Sequence, residues 1–131
     1  MDKLPTKILC DTNFLLIPLR FGVDIFSEAD NALNDICSFY VSSRVLDEIE
    51  LLRKDAKPSL DKELLFAVKM AEKCTLVEDD SDIYVDDSLI QLAKENNMVL
   101  GTTDSELRKK AREEGVKVVY LRQRRYLLLD G

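Results

Sequence analysis

Short apolar, β-prone runs alternate with longer stretches of helical spacing along nearly the whole chain, and this alternation restricts the available folds more than any other feature. KILCD (7–11) reads as a buried strand, and Thr12 is placed to cap a helix running through FLLIPL. A second helix covers 24–36, SFYVS (38–42) is a strand, and a helix follows over 43–54. Pro58 and Ser59 open another helix, in which Leu60, Leu64, Ala67, Val68 and Ala71 keep helical spacing. The short strand CTLVE, helix 84–97, strand MVLGT, helix 104–114 and strand VKVVYL (116–121) complete the pattern, with Gly115 just past the last helix. Strands alternating with helices of about 10–15 residues imply βαβ units: an α/β fold with a mostly parallel sheet of about five strands and helices on both faces. Residues 122–131 read as a basic C-terminal tail on a single domain, 1–131. Sheets of this kind bind ligands beyond the carboxyl ends of their strands, so the residues just after each strand carry the functional question.

Composition narrows the chemistry. The chain has 131 residues and no histidine, which excludes Ser-His-Asp hydrolysis, Cys-His proteolysis and His-ligated zinc. Catalysis must run on carboxylates, lysines, hydroxyls or thiols, or on a metal held by oxygen. Cys10, Cys37 and Cys74 are widely spaced with no CxxC pair, so they read as small reduced core residues of a cytoplasmic protein. No apolar stretch approaches the ~20 residues of a membrane span, and the N-terminus lacks a signal-peptide core, so no membrane partner is expected.

The net charge of −6 argues at first against a nucleic-acid partner, but the charge is unevenly placed. Residues 78–87 carry six acids and no base. Residues 108–125 carry eight bases against Glu113 and Glu114, a net +6. Such blocks are often solvated faces; together they also suit a metal site beside a polyanion.

Two acids stand out by strand-end position. Asp11 ends the first strand among Ile8, Leu9, Cys10, Phe14 and Leu15, where an ionised carboxylate is costly unless paired or metal-bound. Asp104 follows the fourth strand, and a capping box of Thr103 and Glu106 would set it in a first helical turn. Both also fit a plainer reading, acids that complement a helix dipole. Two more stand out by helical phase. Counted at about 100° per residue, Asp86 falls inside the apolar arc of Val85, Leu89, Leu92 and Ala93, and Asp87 outside it. Likewise Glu48 falls between Val45, Ile49, Leu51 and Leu52, while Asp47 and Glu50 point away, so Glu48 reads as semi-buried. Clustered carboxylates repel unless cations neutralise them, and oxygen-only sets suit Mg²⁺ or Mn²⁺. Two such ions about 3.5–4 Å apart activate water and stabilise a leaving oxygen, so phosphodiester hydrolysis is the reaction class these residues permit.

The motifs DTNFLL (11–16), VLDEIELL (45–52), YVDDSLIQLA (84–93) and GTTDSELRKKAREEGVKVVYL (101–121), in that order and spacing, resemble the PIN-domain ribonucleases over essentially the whole chain. The resemblance implies a three-layer α/β/α sandwich and a Mg²⁺ or Mn²⁺ site for cutting single-stranded RNA. It assigns catalytic and metal-binding roles to Asp11, Glu48, Asp86 and Asp104, with Asp87 as an auxiliary acid and Asn13 and Thr102 as supporting polar residues. Thr103 departs from the Asn that many members have there. The tail 120–131 looks like the archaeal relatives of the PIN endonuclease that matures small-subunit ribosomal RNA, and less like PIN toxins. Precursor ribosomal RNA is thus the expected substrate, and a homodimer an allowed assembly. Arg108, Lys109, Arg112, Arg122, Arg124 and Arg125 are candidate RNA-backbone contacts, and Tyr126 a base-stacking residue.

Other acid-bearing α/β domains fit less well. A phospho-acceptor receiver would need a lysine ending the last strand, which VVYL lacks, and a haloacid-dehalogenase-type phosphatase would need Asp where Asn13 stands. The remaining rivals are a non-catalytic PIN scaffold that binds RNA or ribosome-assembly proteins, and a PIN toxin.

Overall fold

The computed structural model describes residues 4–131. The first strand, β1 (Thr6–Cys10), has Ile8, Leu9 and Cys10 fully buried, as expected of an apolar run with sheet on either side. Two short helices follow, α1 (Thr12–Leu15) and α2 (Ile17–Phe21), then α3 (Ile25–Leu33). The single helix expected through FLLIPL is therefore broken at Leu16. Pro18 has no N–H to donate and its ring crowds the carbonyl one turn back, so the helix restarts with proline near its N-terminus. Gly22, at φ 68°, then ends α2.

The strand β2 (Cys37–Ser42) runs directly into α4 (Ser43–Arg53), with the Ser42 hydroxyl capping Val45 N–H. Next comes α5 (Pro58–Ala71), which opens on proline at its first position. Its buried face is Leu64, Ala67, Met70 and Ala71; Leu60, expected on that face, is exposed, so packing begins one turn later. Then follow β3 (Thr75–Val77), α6 (Val85–Glu95), β4 (Val99–Gly101), α7 (Ser105–Glu113) and β5 (Val118–Arg122).

Residues 122–131 are not a tail. They turn at Gln123 and Arg124 and return as β6 (Tyr126–Asp130), antiparallel to β5. The sheet thus has six strands in the order β3-β2-β1-β4-β5-β6, with every pairing parallel except the last. Helices flank this mostly parallel sheet, as the alternation predicts. Because β1 pairs with β2 on one side and β4 on the other, the chain's course reverses there. The carboxyl ends of β1 and β4 form the crevice that such topology leaves open. Cys10 and Gly101 are in register, and the Asp11 N–H reaches the Gly101 carbonyl at 3.1 Å.

Gly101 has its own reason to be glycine. A Cβ there would lie 3.0 Å from the ring of Phe14, a fully buried side chain with no room to retreat. Cys10 is fully buried, Cys37 and Cys74 are partly buried, and all three are free thiols.

Candidate active site

Asp11 caps α1. One carboxylate oxygen accepts the Phe14 N–H at 2.8 Å and the other accepts the Thr102 hydroxyl. Aspartate, not the neighbouring Thr12, is therefore the cap, since only its extended backbone aims an oxygen into the first turn. The Thr102 oxygen also accepts the Asp104 N–H at 3.0 Å. A single fully buried hydroxyl thus joins the ends of β1 and β4 by donating to one acid and receiving from the backbone of the other. Asp104 caps α7 itself, accepting from Glu106 N–H (2.9 Å) and Leu107 N–H (3.2 Å). The expected capping box led by Thr103 does not form; Thr103 is exposed, and Asp104 occupies the cap one residue later.

Asp86 sits in the first turn of α6, partly buried, and Asp87 beside it is exposed, as helical phase predicted. Burial raises Asp11 to about 7, against the pull of its Thr102 and Phe14 hydrogen bonds, and the charges of Asp104 and Asp86 push it the same way. Asp86 is raised by burial and then by Asp104, with Lys110 opposing. Asp11, Asp86 and Asp104 therefore share one electrostatic field. Among the described residues, no three acids are already gathered tightly enough to ligate one ion.

Glu48 is a correction. It is exposed, not semi-buried, because α4 buries only the narrow strip of Val45 and Ile49. Leu51 and Leu52, which framed the expected apolar arc, are 66% and 49% exposed. Asn13 lies partly buried in α1.

The acid-rich segment before α6 is clipped in place rather than free. Ser43 Oγ accepts the Asp79 N–H at 2.8 Å and donates to its carbonyl. Arg44 donates to Ser81 Oγ and to the Ile83 carbonyl. Burial works against the Asp79 charge, but the Ser81 N–H, the Ser81 and Ser88 hydroxyls and Arg44 outweigh it and hold its carboxyl below the ordinary range. One part of the acidic run is thus a fastening, with Asp79 tucked in beside Ser43 and Ser81, and Asp86 is the partly buried acid of the α6 first turn.

The basic residues divide as well. Arg108 and Arg112 pair with Asp130 of β6 at 3.6 and 3.3 Å, and Arg108 lies over the Tyr120 ring at 4.0 Å. They pin β6 to α7, so their charge is largely spoken for. Lys109, Arg122, Arg124 and Arg125 are exposed, and Tyr126 is partly buried in β6. Lys110, one of the eight bases of the 108–125 block, faces the acids: its charge acts on Asp86, and its ammonium lies 5.8 Å from the Tyr84 ring centroid. Its signal in the sequence was position, two turns of α7 beyond the Asp104 cap.

A family model described as a PIN like domain matches residues 8–124. Ribonuclease VapC4 of Methanocaldococcus jannaschii is 30% identical over 127 residues, covering 95% of this chain and 97% of that protein. Ribonuclease VapC9 of Archaeoglobus fulgidus is 28% identical over 127 residues, covering 95% of this chain and 91% of that protein. Among solved structures, the PIN domain endonuclease Utp24 superimposes with a TM-score of 0.79 at 20% identity, over 96% of this chain and 92% of that one. This last likeness is one of fold.

Proposed function

Because the chain belongs to the PIN-like domain family, we propose that it is a nuclease, a divalent-metal-dependent endoribonuclease that hydrolyses phosphodiester bonds of single-stranded RNA. The observation that carries this reading is the Thr102 bridge between Asp11 and Asp104 at the sheet's switch point, with Asp86 in the same field. The donor set fits Mg²⁺ or Mn²⁺. It is all oxygen, and a buried carboxyl raised to about 7 by burial and like charges is relieved by a cation. Asp11, Asp86 and Asp104 would hold the ion, with Glu48 completing the quartet from α4 and Asp87 as auxiliary. When bound, the metal supplies an activated water and neutralises charge at the scissile phosphate.

The chain's own part is orientation. Phe14 N–H and Thr102 hold the Asp11 carboxylate in one pose, and Glu106 and Leu107 N–H do the same for Asp104. Asn13 and Thr102 support the Asp11 end of the site. Lys109, Arg122, Arg124 and Arg125, all exposed, are the residues we assign to the RNA backbone. The exposed Leu51, Leu52 and Leu60 support a homodimer as part of this reading, checked by sedimentation velocity.

Precursor ribosomal RNA is the substrate we favour, in line with the fold shared with Utp24. A toxin reading has its own support, since both curated relatives are named VapC and align over 95% of this chain. Purified protein should cut single-stranded RNA with Mn²⁺ or Mg²⁺, and Asp11→Asn should abolish cutting without loss of the fold. Cleavage of precursor ribosomal RNA at a defined position supports processing; growth arrest on expression, with cleavage scattered over other RNAs, supports the toxin. No cleavage with either metal, or an Asp11→Asn variant that cuts equally well, sinks the nuclease reading.

A further inference from the structure

Tyr84 is the residue before α6 and stands two positions ahead of Asp86. A tyrosine is usually at least partly covered, yet this one is 67% exposed. Its neighbour Ile83 is also exposed, and its backbone carbonyl is held by Arg44, so the segment carrying the ring is anchored while the ring faces solvent. The ammonium of Lys110 reaches across from α7 to within 5.8 Å of the ring centroid. Lys110 also lines, with Lys94 and the acids Asp87, Glu113 and Glu114, a groove of about 430 Å³ between α6 and α7. An exposed aromatic face beside a cation, both next to the acids, matches what a single-stranded nucleic acid presents: a base with a π-face and a phosphate one bond system away.

Building on the nuclease reading above, we propose that Tyr84 and Lys110 are the docking point for the nucleotide beside the scissile phosphate, the base stacking on Tyr84 and the adjacent phosphate meeting Lys110. Stacking on tyrosine is indifferent to base identity, so this contact sets position along the strand rather than sequence.

The two contacts have different physical signatures, and binding without cleavage separates them. Affinity of the full chain for a short fluorescent oligouridylate, measured by anisotropy in chelator across a salt series, is the experiment. Tyr84→Ala should weaken binding about tenfold with the salt slope unchanged, and Tyr84→Phe should restore it. Lys110→Ala should lower the slope of log affinity against log salt by about 0.7, the share of one phosphate on a single strand, and Lys110→Arg should keep it. If the wild type binds no RNA, or if Tyr84→Ala and Lys110→Ala match it in affinity and slope, the docking point is wrong. A wild type that binds with these signatures but never cuts with Mn²⁺ or Mg²⁺ leaves the docking point standing and removes the nuclease reading.

Discussion

At the scale of single residues, the Thr102 hydroxyl does two jobs that no other side chain type at that position performs equally well. It donates to Asp11 and accepts from the Asp104 backbone. Thr102→Val keeps the shape but leaves the part-buried Asp104 N–H and one buried Asp11 oxygen without these partners, a loss of about 1–3 kcal/mol. Thr102→Ser restores both bonds. In the nuclease reading, Thr102→Val should lose most cleavage while Thr102→Ser keeps most of it, compared by initial rates and by melting temperature. Asp11 itself makes a pH prediction. Its folded value of about 7 lies above the 3.8 of an ordinary aspartate. As pH rises from about 4 to 7, the unfolded chain gives up this proton while the folded chain keeps it, so metal-free protein loses stability across that window. Above it the deficit is constant. Asp11→Asn should therefore melt higher than the wild type in chelator, by a margin that grows from pH 4 to pH 7 and reaches the order of 4 kcal/mol. Equal melting curves at pH 7 would show that the carboxylate carries no burial penalty.

Elements differ in how far their placement can be read from the residues, and the differences have physical causes. The buried parallel strands were legible because a continuous apolar run such as ILC or VVYL has nowhere to go but between neighbours. Asp11, Asp86 and Asp104 were legible because strand ends and helical phase are local properties. Glu48 was misjudged because phase reports which residues share a side, not whether anything packs on that side; α4 leaves Leu51 and Leu52 in solvent. The strand β6 was missed because its pairing with β5 and the ion pairs of Asp130 with Arg108 and Arg112 are tertiary, while the residues before it read as a charge run. The turn joining these strands keeps both Gln123 (φ 52°) and Arg124 (φ 58°) in the left-handed region, without the Gly or Asn that such turns favour. Replacing the pair with Asn-Gly should stabilise the protein by about 1 kcal/mol in urea unfolding. If arginine at this strained position earns its place by meeting RNA, the same variant should bind RNA more weakly, whereas a purely structural turn would leave binding unchanged.

For the whole molecule, a net charge of −6 describes repulsion only when it is treated as uniform. Three groups of acids stand apart from the simply exposed ones: fastenings such as Asp79, ion-pair partners such as Asp130, and the site set of Asp11, Asp86 and Asp104. In the last group, burial and the charges of neighbouring acids push Asp11 and Asp86 up, so this group has free energy to return when a cation arrives. That distinction makes the response to metal specific. Mn²⁺ at neutral pH should raise the melting temperature of the wild type by several degrees, since a ligand bound only to the folded state stabilises by RT ln(1 + [L]/Kd), about 2.7 kcal/mol at a hundredfold excess over Kd. Asp11→Asn and Asp104→Asn should each blunt the rise, because each removes one acid of the set. Asp80→Asn and Asp82→Asn, which remove equal charge from exposed positions of the acidic run, should leave it intact. A rise that falls equally in all four variants would mean the ion is drawn by overall charge, and one that survives in Asp11→Asn and Asp104→Asn would place the metal elsewhere on the molecule.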